Sequence, residues 1–230
     1  MKVIYCTAAA VACLGLVSSV QAAQLTVSSY STPNGDGQAA GGTYNYWDGT
    51  YSGSGAKTTD GAPLSGGTGA LTDGFISASP WYLVSNVAGT GQYVGWLDTV
   101  STDPVVTFNF GGPVTVSDIK VYLDNTGSGG VFAPSAIRVD GLNVPFTAPA
   151  IGTVGLVDLS GLNLTGNQHT VQFKQATGVW VFVSEVQFFG TAAAGVPEPA
   201  TWLSAIVGLG LIGASLRRRQ SQAGTRAEFA

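Results

Sequence analysis

The stretch VVTFNFGGPVTVSDIKVYL, residues 105–123, alternates apolar and polar side chains on both sides of a Gly-Gly-Pro interruption. Successive side chains of a β-strand point to opposite faces of its sheet, so this alternation is typical of a strand with one buried face. Gly-Gly-Pro is a turn signal. The stretch therefore predicts two strands, 105–110 and 114–123, joined at residues 111–113.

The same alternation recurs at residues 136–139 and 171–174. Turn signals separate these segments at residues 124–130, 140–141 and 165–167. Before the C-terminal tail, no segment shows a sustained apolar stripe of helical period. Many short strands at regular spacing predict an all-β fold, an antiparallel β-sandwich or jelly roll.

Composition favours an exported β-rich protein without affinity for nucleic acid. Residues 24–190 carry four basic and eleven acidic side chains, a formal charge of −7. This acidity gives no electrostatic attraction to nucleic acid or anionic lipid. Asp-Gly pairs begin at residues 36, 48, 60 and 73, and we interpret them as tight turns because the residues around them do not repeat.

The N-terminal residues 1–22 have the layout of a secretory signal peptide. Lys2 precedes an apolar run that extends to Val17, and small residues lead to a cleavage site after Ala22. Cys6 and Cys13, the two cysteines of the chain, both lie in this segment. The mature protein is therefore predicted to have no thiol and no disulfide.

The C-terminal residues form a second processing segment. A linker at 191–200 contains Pro197, Glu198 and Pro199, an apolar helix is predicted at 201–216, and a basic tail at 217–230 begins with three arginines: Arg217, Arg218 and Arg219. The apolar run is shorter than the ~20 residues of a comfortable membrane span, and the arginines would keep their end in the cytoplasm.

This arrangement resembles the PEP-CTERM sorting signal, which exosortase recognises and cleaves in Gram-negative bacteria. The resemblance implies exosortase as a processing partner and transient anchoring in the inner membrane. The destination would then be the cell surface or the extracellular matrix. The alternative is a plain membrane anchor with a rigid Pro-x-Pro spacer.

Three segments of the predicted domain, 23–190, resemble the discoidin or F5/8 type C family of galactose-binding-like domains, which includes many carbohydrate-binding modules. They are an Asp-Gly turn at 71–74, the strand pair at 106–122 and a closing strand at 181–190. The resemblance implies a galactose-binding-like β-sandwich. It also implies one structural calcium ion held by Asp73 and Glu185.

Glu185 is the only glutamate between the signal peptide and the tail, and it stands in an otherwise apolar strand. A carboxylate in such a strand needs a partner, and calcium takes 6–8 oxygen ligands. In the alternative interpretation, Glu185 faces solvent or pairs with Lys120 or Lys174, while Asp73 only closes its turn.

Sugar binding by such a sandwich would use aromatic faces in the loops at one end. The candidates are Trp47, Tyr51, Trp81, Tyr82, Tyr93 and Trp96. The alternative for each is a buried core aromatic, which is the role we predict for Trp180. The only arginine of the domain, Arg138, stands in mid-strand, so the sequence shows no arginine clamp for sugar hydroxyls.

The sequence offers few candidate catalytic residues. His169 is the sole histidine, has no nucleophile motif near it, and is predicted to lie on a strand surface. The aspartates stand mainly in turns. We therefore predict a protein that is not an enzyme: an exported module that binds carbohydrate, specifically exopolysaccharide. The alternative is a structural matrix or coat protein without a ligand pocket.

Overall fold

The computed structural model describes residues 22–37, 44–84 and 90–193. Ten strands form the fold, and in these ranges the helices are one four-residue α-helix and one 3₁₀ turn. The strands are β1 (Ala23–Leu25), β2 (Val27–Pro33), β3 (Pro63–Gly67), β4 (Val94–Leu97), β5 (Val105–Asn125), β6 (Ala136–Val139), β7 (Leu142–Val144), β8 (Thr153–Leu159), β9 (Leu164–Lys174) and β10 (Trp180–Ala192); the helix is α1 (Trp81–Val84), and the 3₁₀ turn is Ser128–Gly130. All four sequence-predicted strand segments are confirmed.

The predicted turn at residues 111–113 is wrong, because β5 continues through it. Opposite β9, the register of β5 shifts between Asn109 and Val114, so Gly-Gly-Pro is a bulge that bends one long strand. The predicted turn at 165–167 is wrong for the same reason, since these residues lie in β9 opposite the bulge. A straight 21-residue strand would be about 70 Å long, and the bend lets β5 turn back within the domain.

The bend divides β5 between two layers. The first half pairs with β2 and β9, and β9 continues to β6 and β7. The second half pairs with β8 and lies beside β10, which also carries β1 and β4. Every strand pairing with a described register is antiparallel, which confirms the predicted antiparallel β-sandwich.

The core fills the space between the two layers. Alternate residues of β5 are fully buried, including Val106, Phe108, Ile119 and Val121. Phe108, from the first half of β5, contacts Phe188 of β10 with ring centroids 4.9 Å apart. The alternation that predicted the strands thus also selects the residues that join the layers.

The two ends of β10 define two ends of the sandwich. Gly190 pairs with Ala23 of β1 at one end, and Trp180 pairs with Leu97 of β4 at the other. Ten residues of strand separate Gly190 from Trp180, which corresponds to about 33 Å. Of the candidate aromatics, Trp81 and Tyr93 belong to a cluster with Trp180 at this end.

The chain divides into two compact units, Met1–Thr191 and Ala192–Ala230. Within the described ranges, no helix is both long and apolar enough to cross a membrane. The predicted apolar helix, basic tail and sorting residues lie outside the described residues, as does all of the predicted signal peptide except Ala22.

Candidate functional site

A second hydrophobic cluster, separate from the main core, closes the sandwich at the Trp180 end. Tyr46 is at its centre, with its ring centroid 4.3 Å from that of Phe182 and 5.4 Å from that of Trp180. We call this cluster the aromatic end; its rings belong to Tyr44, Tyr46, Trp81, Tyr93, Trp180 and Phe182. Tyr46, Tyr93 and Phe182 are buried, whereas Tyr44, Trp81 and Trp180 are partly exposed.

A buried carboxylate, that of Asp124, accepts a hydrogen bond from the backbone of Trp81. Asp124, at the end of β5, has no exposed surface; its Oδ2 accepts the Trp81 backbone N–H at 2.8 Å, and its Oδ1 accepts the Thr126 N–H at 2.7 Å. The Trp81 indole donates to the carbonyl of Ser128 at 3.1 Å. One acidic group therefore fixes both α1 and the loop that follows β5, and the indole ties them together.

Gly129 completes this arrangement. Its φ is 63°, in the left-handed region, and a Cβ at this position would lie 2.8 Å from Cζ2 of Trp81. A side chain here would collide with the indole as well as strain the backbone. The glycine-rich run that predicted a turn thus also makes room for Trp81.

Tyr82, which follows Trp81 in α1, has an exposed ring next to the aromatic end. It is 43% exposed, and its ring stands at 88° to that of Trp81 with centroids 5.5 Å apart. Tyr44, half-buried, lies edge-on to Trp81 at 5.7 Å. Tyr44 and Trp81 of the aromatic end, together with the adjacent Tyr82, form a set of partly exposed rings that we call the aromatic surface.

The structure corrects three candidates for sugar contact. Tyr51, Tyr93 and Trp96 are at most 2% exposed, so their faces cannot stack on a ligand. Their polar atoms bond to backbone carbonyls instead: the Trp96 indole to Pro33 at 2.9 Å, and the Tyr93 hydroxyl to Ser79 at 2.8 Å. The alternative of a buried core aromatic holds for these residues, because their rings fill the space within and between the layers.

Trp47 is half-buried and lies in a different local setting from the other candidates. Its indole donates to Asp60 Oδ1 at 2.7 Å, and the same oxygen accepts the Gly37 N–H at 2.7 Å. A Cβ on Gly37 would lie 2.4 Å from the Trp47 ring. The indole therefore joins two loops, and no ring contact links it to the aromatic surface within the described residues.

The structure brings Asp73 and Glu185 together. Glu185 is 2% exposed, and its Oε2 accepts the backbone N–H of Gly74 at 3.2 Å. Asp73 is exposed and accepts the Phe75 N–H at 2.8 Å, closing its turn. In the described ranges, no ion pair involves Glu185, and Lys174 pairs with Asp103 instead. The solvent-facing and Lys174-paired alternatives for Glu185 are therefore wrong.

A cavity of about 350 Å³ lies against Glu185, and we call it the acidic pocket. Its polar lining comes from Gln24, Thr26, Thr72, Glu185 and Gln187. Burial and the neighbouring Asp73 charge raise the pKa of Glu185 to about 7, although the Gly74 N–H and a side-chain hydrogen bond with Gln187 oppose the shift. Thr72 Oγ1 is buried and has no hydrogen-bond partner in the described part of the chain. The pocket thus holds an under-partnered carboxyl group and an unsatisfied hydroxyl oxygen.

Residues 26–141, just over half of the chain, match the family described as discoidin domain-containing receptor 1/2, DS-like domain. The chain belongs to this family. The match includes Asp73 and every aromatic candidate of the DS-like domain, and it ends before Glu185.

Solved structures similar to the DS-like domain include carbohydrate-binding modules. The chain is similar to the CBM32 of AlyQ in complex with 4,5-unsaturated mannuronic acid, with 15% identity, a TM-score of 0.41, and coverage of 74% of this chain and 99% of that chain. It is similar to truncated AlyQ with CBM32 and alginate lyase domains, with 18% identity, a TM-score of 0.34, and coverage of 55% of this chain and 30% of that one. A third similar structure is the family 32 CBM from C. perfringens NanJ in complex with galactose. The identity is 14% and the TM-score is 0.31, and the match covers 52% of this chain and 88% of that chain. No curated protein matches the chain.

The sorting signal that follows the DS-like domain is confirmed. Residues 195–219 match the PEP-CTERM protein-sorting motif, and this range includes the Pro-Glu-Pro segment and all three arginines at 217–219. The motif is that of proteins exported and sorted to the cell surface.

Sequence reasoning missed two buried carboxylates of the DS-like domain. Asp48 is fully buried, accepts the Tyr30 hydroxyl and the Ala70 N–H, and has its pKa raised by burial. Asp36 accepts the Leu97 N–H at 2.6 Å, and burial raises its pKa to about 6. Both belong to Asp-Gly pairs that we interpreted only as turns.

The prediction that His169 lies on a strand surface is wrong. It is 2% exposed, and its Nδ1 lies 2.8 Å from Oδ2 of Asp140, whose Oδ1 accepts the Thr170 N–H at 2.7 Å. Asp140 and Gly141 both have positive φ and form the tight turn between β6 and β7. The histidine–carboxylate pair therefore ties this hairpin to β9. Nε2 of His169 is buried, so a substrate cannot reach it.

Proposed function

We propose that the DS-like domain is a non-catalytic carbohydrate-binding module displayed at the cell surface, and that it holds extracellular polysaccharide on its aromatic surface. The observation that carries the proposal is the partly exposed ring set of Tyr44, Trp81 and Tyr82 at one end of the sandwich. Open aromatic faces next to fixed polar groups suit the flat apolar faces and the hydroxyl groups of pyranose rings.

Rigidity supports this role. A site built on immobile rings loses little conformational entropy when a ligand binds. Trp81 is fixed by Asp124, by Ser128 and by the close approach of Gly129. The rest of the aromatic end packs behind it, with Tyr46 5.6 Å from Trp81. The surface is therefore formed before a ligand arrives.

The test is a glycan array probed with the full-length chain in detergent, followed by affinity measurements on the best polysaccharide. We expect binding that Tyr82→Ala weakens. Retention of full affinity by Tyr82→Ala together with Trp81→Phe would place binding elsewhere. Absence of binding to every glycan would favour the structural matrix or coat protein that the sequence left open.

We also propose that calcium stabilises the domain at the acidic pocket. Within the described residues, no cluster of three or more His, Cys, Asp or Glu side chains could hold a metal. The Glu185 carboxylate and the unsatisfied hydroxyl of Thr72 line the pocket, and the Asp73 carboxylate in the adjacent turn and backbone carbonyls would complete the shell. This all-oxygen set fits calcium and does not fit zinc.

Bound calcium would link the loop after residue 71 to β10 and neutralise the buried Glu185 charge. At a calcium concentration of 100 times Kd, the folded state would gain about 2.7 kcal/mol. Titrating calcium into chelator-treated full-length protein should raise Tm, and magnesium should raise it less. An unchanged Tm up to about 10 mM calcium, roughly ten times the Kd of the weakest extracellular calcium sites, would rule the site out.

A further inference from the structure

We infer that the aromatic surface selects neutral glycans and discriminates against acidic polysaccharides such as those built from uronic acids. This inference rests on the carbohydrate-binding function proposed above and narrows its substrate class. It is carried by the placement of the four basic side chains of the domain and of two aspartates at the aromatic end.

The four basic residues between 24 and 190 all lie in described ranges. Lys174 is paired with Asp103 at the end of β9. Lys120 lies over the ring of Phe189 near the opposite end of β10, with Nζ 4.8 Å from the ring centroid. Lys57 is half-buried in the loop before β3. The internal segments outside the description, 38–43 and 85–89, contain no charged residue in their sequences.

Arginine is the side chain best suited to hold a carboxylate, because its planar fork makes two parallel hydrogen bonds. Arg138 is the only arginine of the domain, and it stands in β6 with Nε donating to Asn143 Oδ1 at 2.8 Å. It lies on the β6–β7 hairpin, not on the segments that carry Tyr44, Trp81 and Tyr82. The segments that carry the aromatic surface therefore contribute no guanidinium group to hold an acidic sugar.

Two negative charges lie close to the aromatic end. Asp124 lies directly behind Trp81, and Asp98 Oδ2 accepts the N–H of Gly178, two residues before Trp180. A domain with a formal charge of −7 adds a repulsive field for any polyanion. Neutral pyranoses avoid this repulsion, and they need only ring stacking and uncharged hydrogen-bonding groups.

The experiment compares galactomannan with the same polymer after oxidation of its primary alcohols to carboxylates, and adds alginate as a second polyanion. The full-length chain would be measured on each immobilised polymer at low and high salt, with a chelator present so that divalent ions cannot bridge carboxylates. We expect at least a tenfold preference for the unoxidised polymer at low salt. The gap should narrow at high salt, since screening shortens the reach of the field to about 3 Å at 1 M.

The outcomes separate the two proposals. Binding to none of the polymers or array glycans contradicts the carbohydrate-binding function itself. Equal or tighter binding to the oxidised polymer or to alginate overturns the substrate class alone and leaves the function standing.

A variant with one added positive charge tests whether electrostatic repulsion causes the discrimination against acidic polysaccharides. Leu83 is 68% exposed and follows Tyr82 in α1, so Leu83→Lys introduces a cation beside the aromatic surface without entering the core. Alginate binding at low salt should rise severalfold in Leu83→Lys and remain unchanged in the matched Leu83→Gln. An identical response of the two variants would overturn the electrostatic explanation.

Discussion

The aromatic end and the acidic pocket differ in how completely their polar groups are partnered. At the aromatic end, Asp124 is fully buried, and each of its oxygens accepts a backbone N–H within 2.8 Å. At the acidic pocket, Glu185 accepts one backbone N–H at 3.2 Å, has a side-chain hydrogen bond with Gln187, and has Asp73, a like charge, as its neighbour. The first region is locked, whereas the second holds a carboxyl group whose charged form is destabilised.

This difference separates two properties of the domain. A locked surface can present the same rings to a ligand at any pH where the domain is folded. A poorly partnered carboxyl group makes stability depend on protons or cations. We therefore expect pH and calcium to act mainly on stability through the acidic pocket, and mutations at the aromatic end to act mainly on binding.

The largest expected effect is on the pH dependence of stability without calcium. Burial raises the pKa of Glu185 to about 7 and that of Asp36 to about 6. A folded-state pKa above the unfolded value means that the folded protein binds more protons, so stability is highest near pH 4 and is lost as pH rises towards about 8. At 1.4 kcal/mol per pKa unit, the two groups together account for roughly 3–6 kcal/mol.

Urea denaturation in the presence of a chelator would measure this slope. Asp103 contributes the opposite sign: burial alone would raise its pKa, but the Lys174 contact and the Gln175 N–H hold it below its usual range. That contribution is lost only as pH falls below about 4. A free energy of unfolding that stays flat or rises between pH 5 and pH 8 would contradict the acidic pocket as described.

The second-largest expected effect is a gain in stability from Glu185→Gln. This substitution keeps the shape of the side chain and removes its charge. At pH 8 without calcium, we expect stabilisation of about 2 kcal/mol, because the cost of burying a carboxylate disappears. The variant should also lose the calcium-dependent rise in Tm. Asp158→Asn, at an exposed position, is the matched control for one lost charge, and it should change neither property.

The contrast between the two regions was only partly predictable from the sequence. The alternation at 105–123 predicted the strands because burial of one face repeats every second residue. The same rule could have placed His169 in the core, since Val171 and Phe173 lie on its face of β9 and are both fully buried. The polarity of histidine favours a surface position, and its partner Asp140, which makes burial possible, lies 29 residues away.

The aspartates show what local patterns cannot supply. Asp-Gly predicts a turn whether the carboxylate faces water or the core, and the difference depends on distant residues that cover the turn. Asp48 is buried because the hydroxyl of Tyr30, 18 residues earlier, and the N–H of Ala70 both reach it. In the same way, the resemblance named Asp73 and Glu185, but Thr72 and the cavity beside them are products of tertiary packing.

Asp124→Asn is expected to have a smaller effect on stability, and it should also affect binding. The amide can replace only one of the two accepting oxygens, so either Trp81 or Thr126 loses its acceptor. An unsatisfied buried N–H costs about 1–3 kcal/mol, or about 6 °C in Tm for a domain of this size at 2 kcal/mol. Glycan affinity should fall with it, because loss of either bond loosens α1 or the loop that accepts the Trp81 indole at Ser128.

Differential scanning fluorimetry and the polysaccharide affinity assay, run on the same preparation, would measure both changes. Asp158→Asn again serves as the control. If Asp124→Asn lost stability while glycan affinity stayed at the wild-type value, α1 would not need its anchor for binding, and the locked surface would not be the binding site.

The smallest effect on stability, and the most direct test of the aromatic surface, is Tyr82→Ala. Tyr82 is 43% exposed, and its ring contact in the described residues is the perpendicular one with Trp81, so removing the ring should change Tm by no more than about 1 °C. Loss of one stacking ring should weaken polysaccharide binding about tenfold, equivalent to about 1.4 kcal/mol.

Leu83→Ala is the control because it removes a more exposed apolar side chain from the same helix without removing a ring. Equal losses in the two variants would mean that nonspecific apolar contact drives binding, whereas a loss confined to Tyr82→Ala would assign recognition to the rings that Asp124 holds in place.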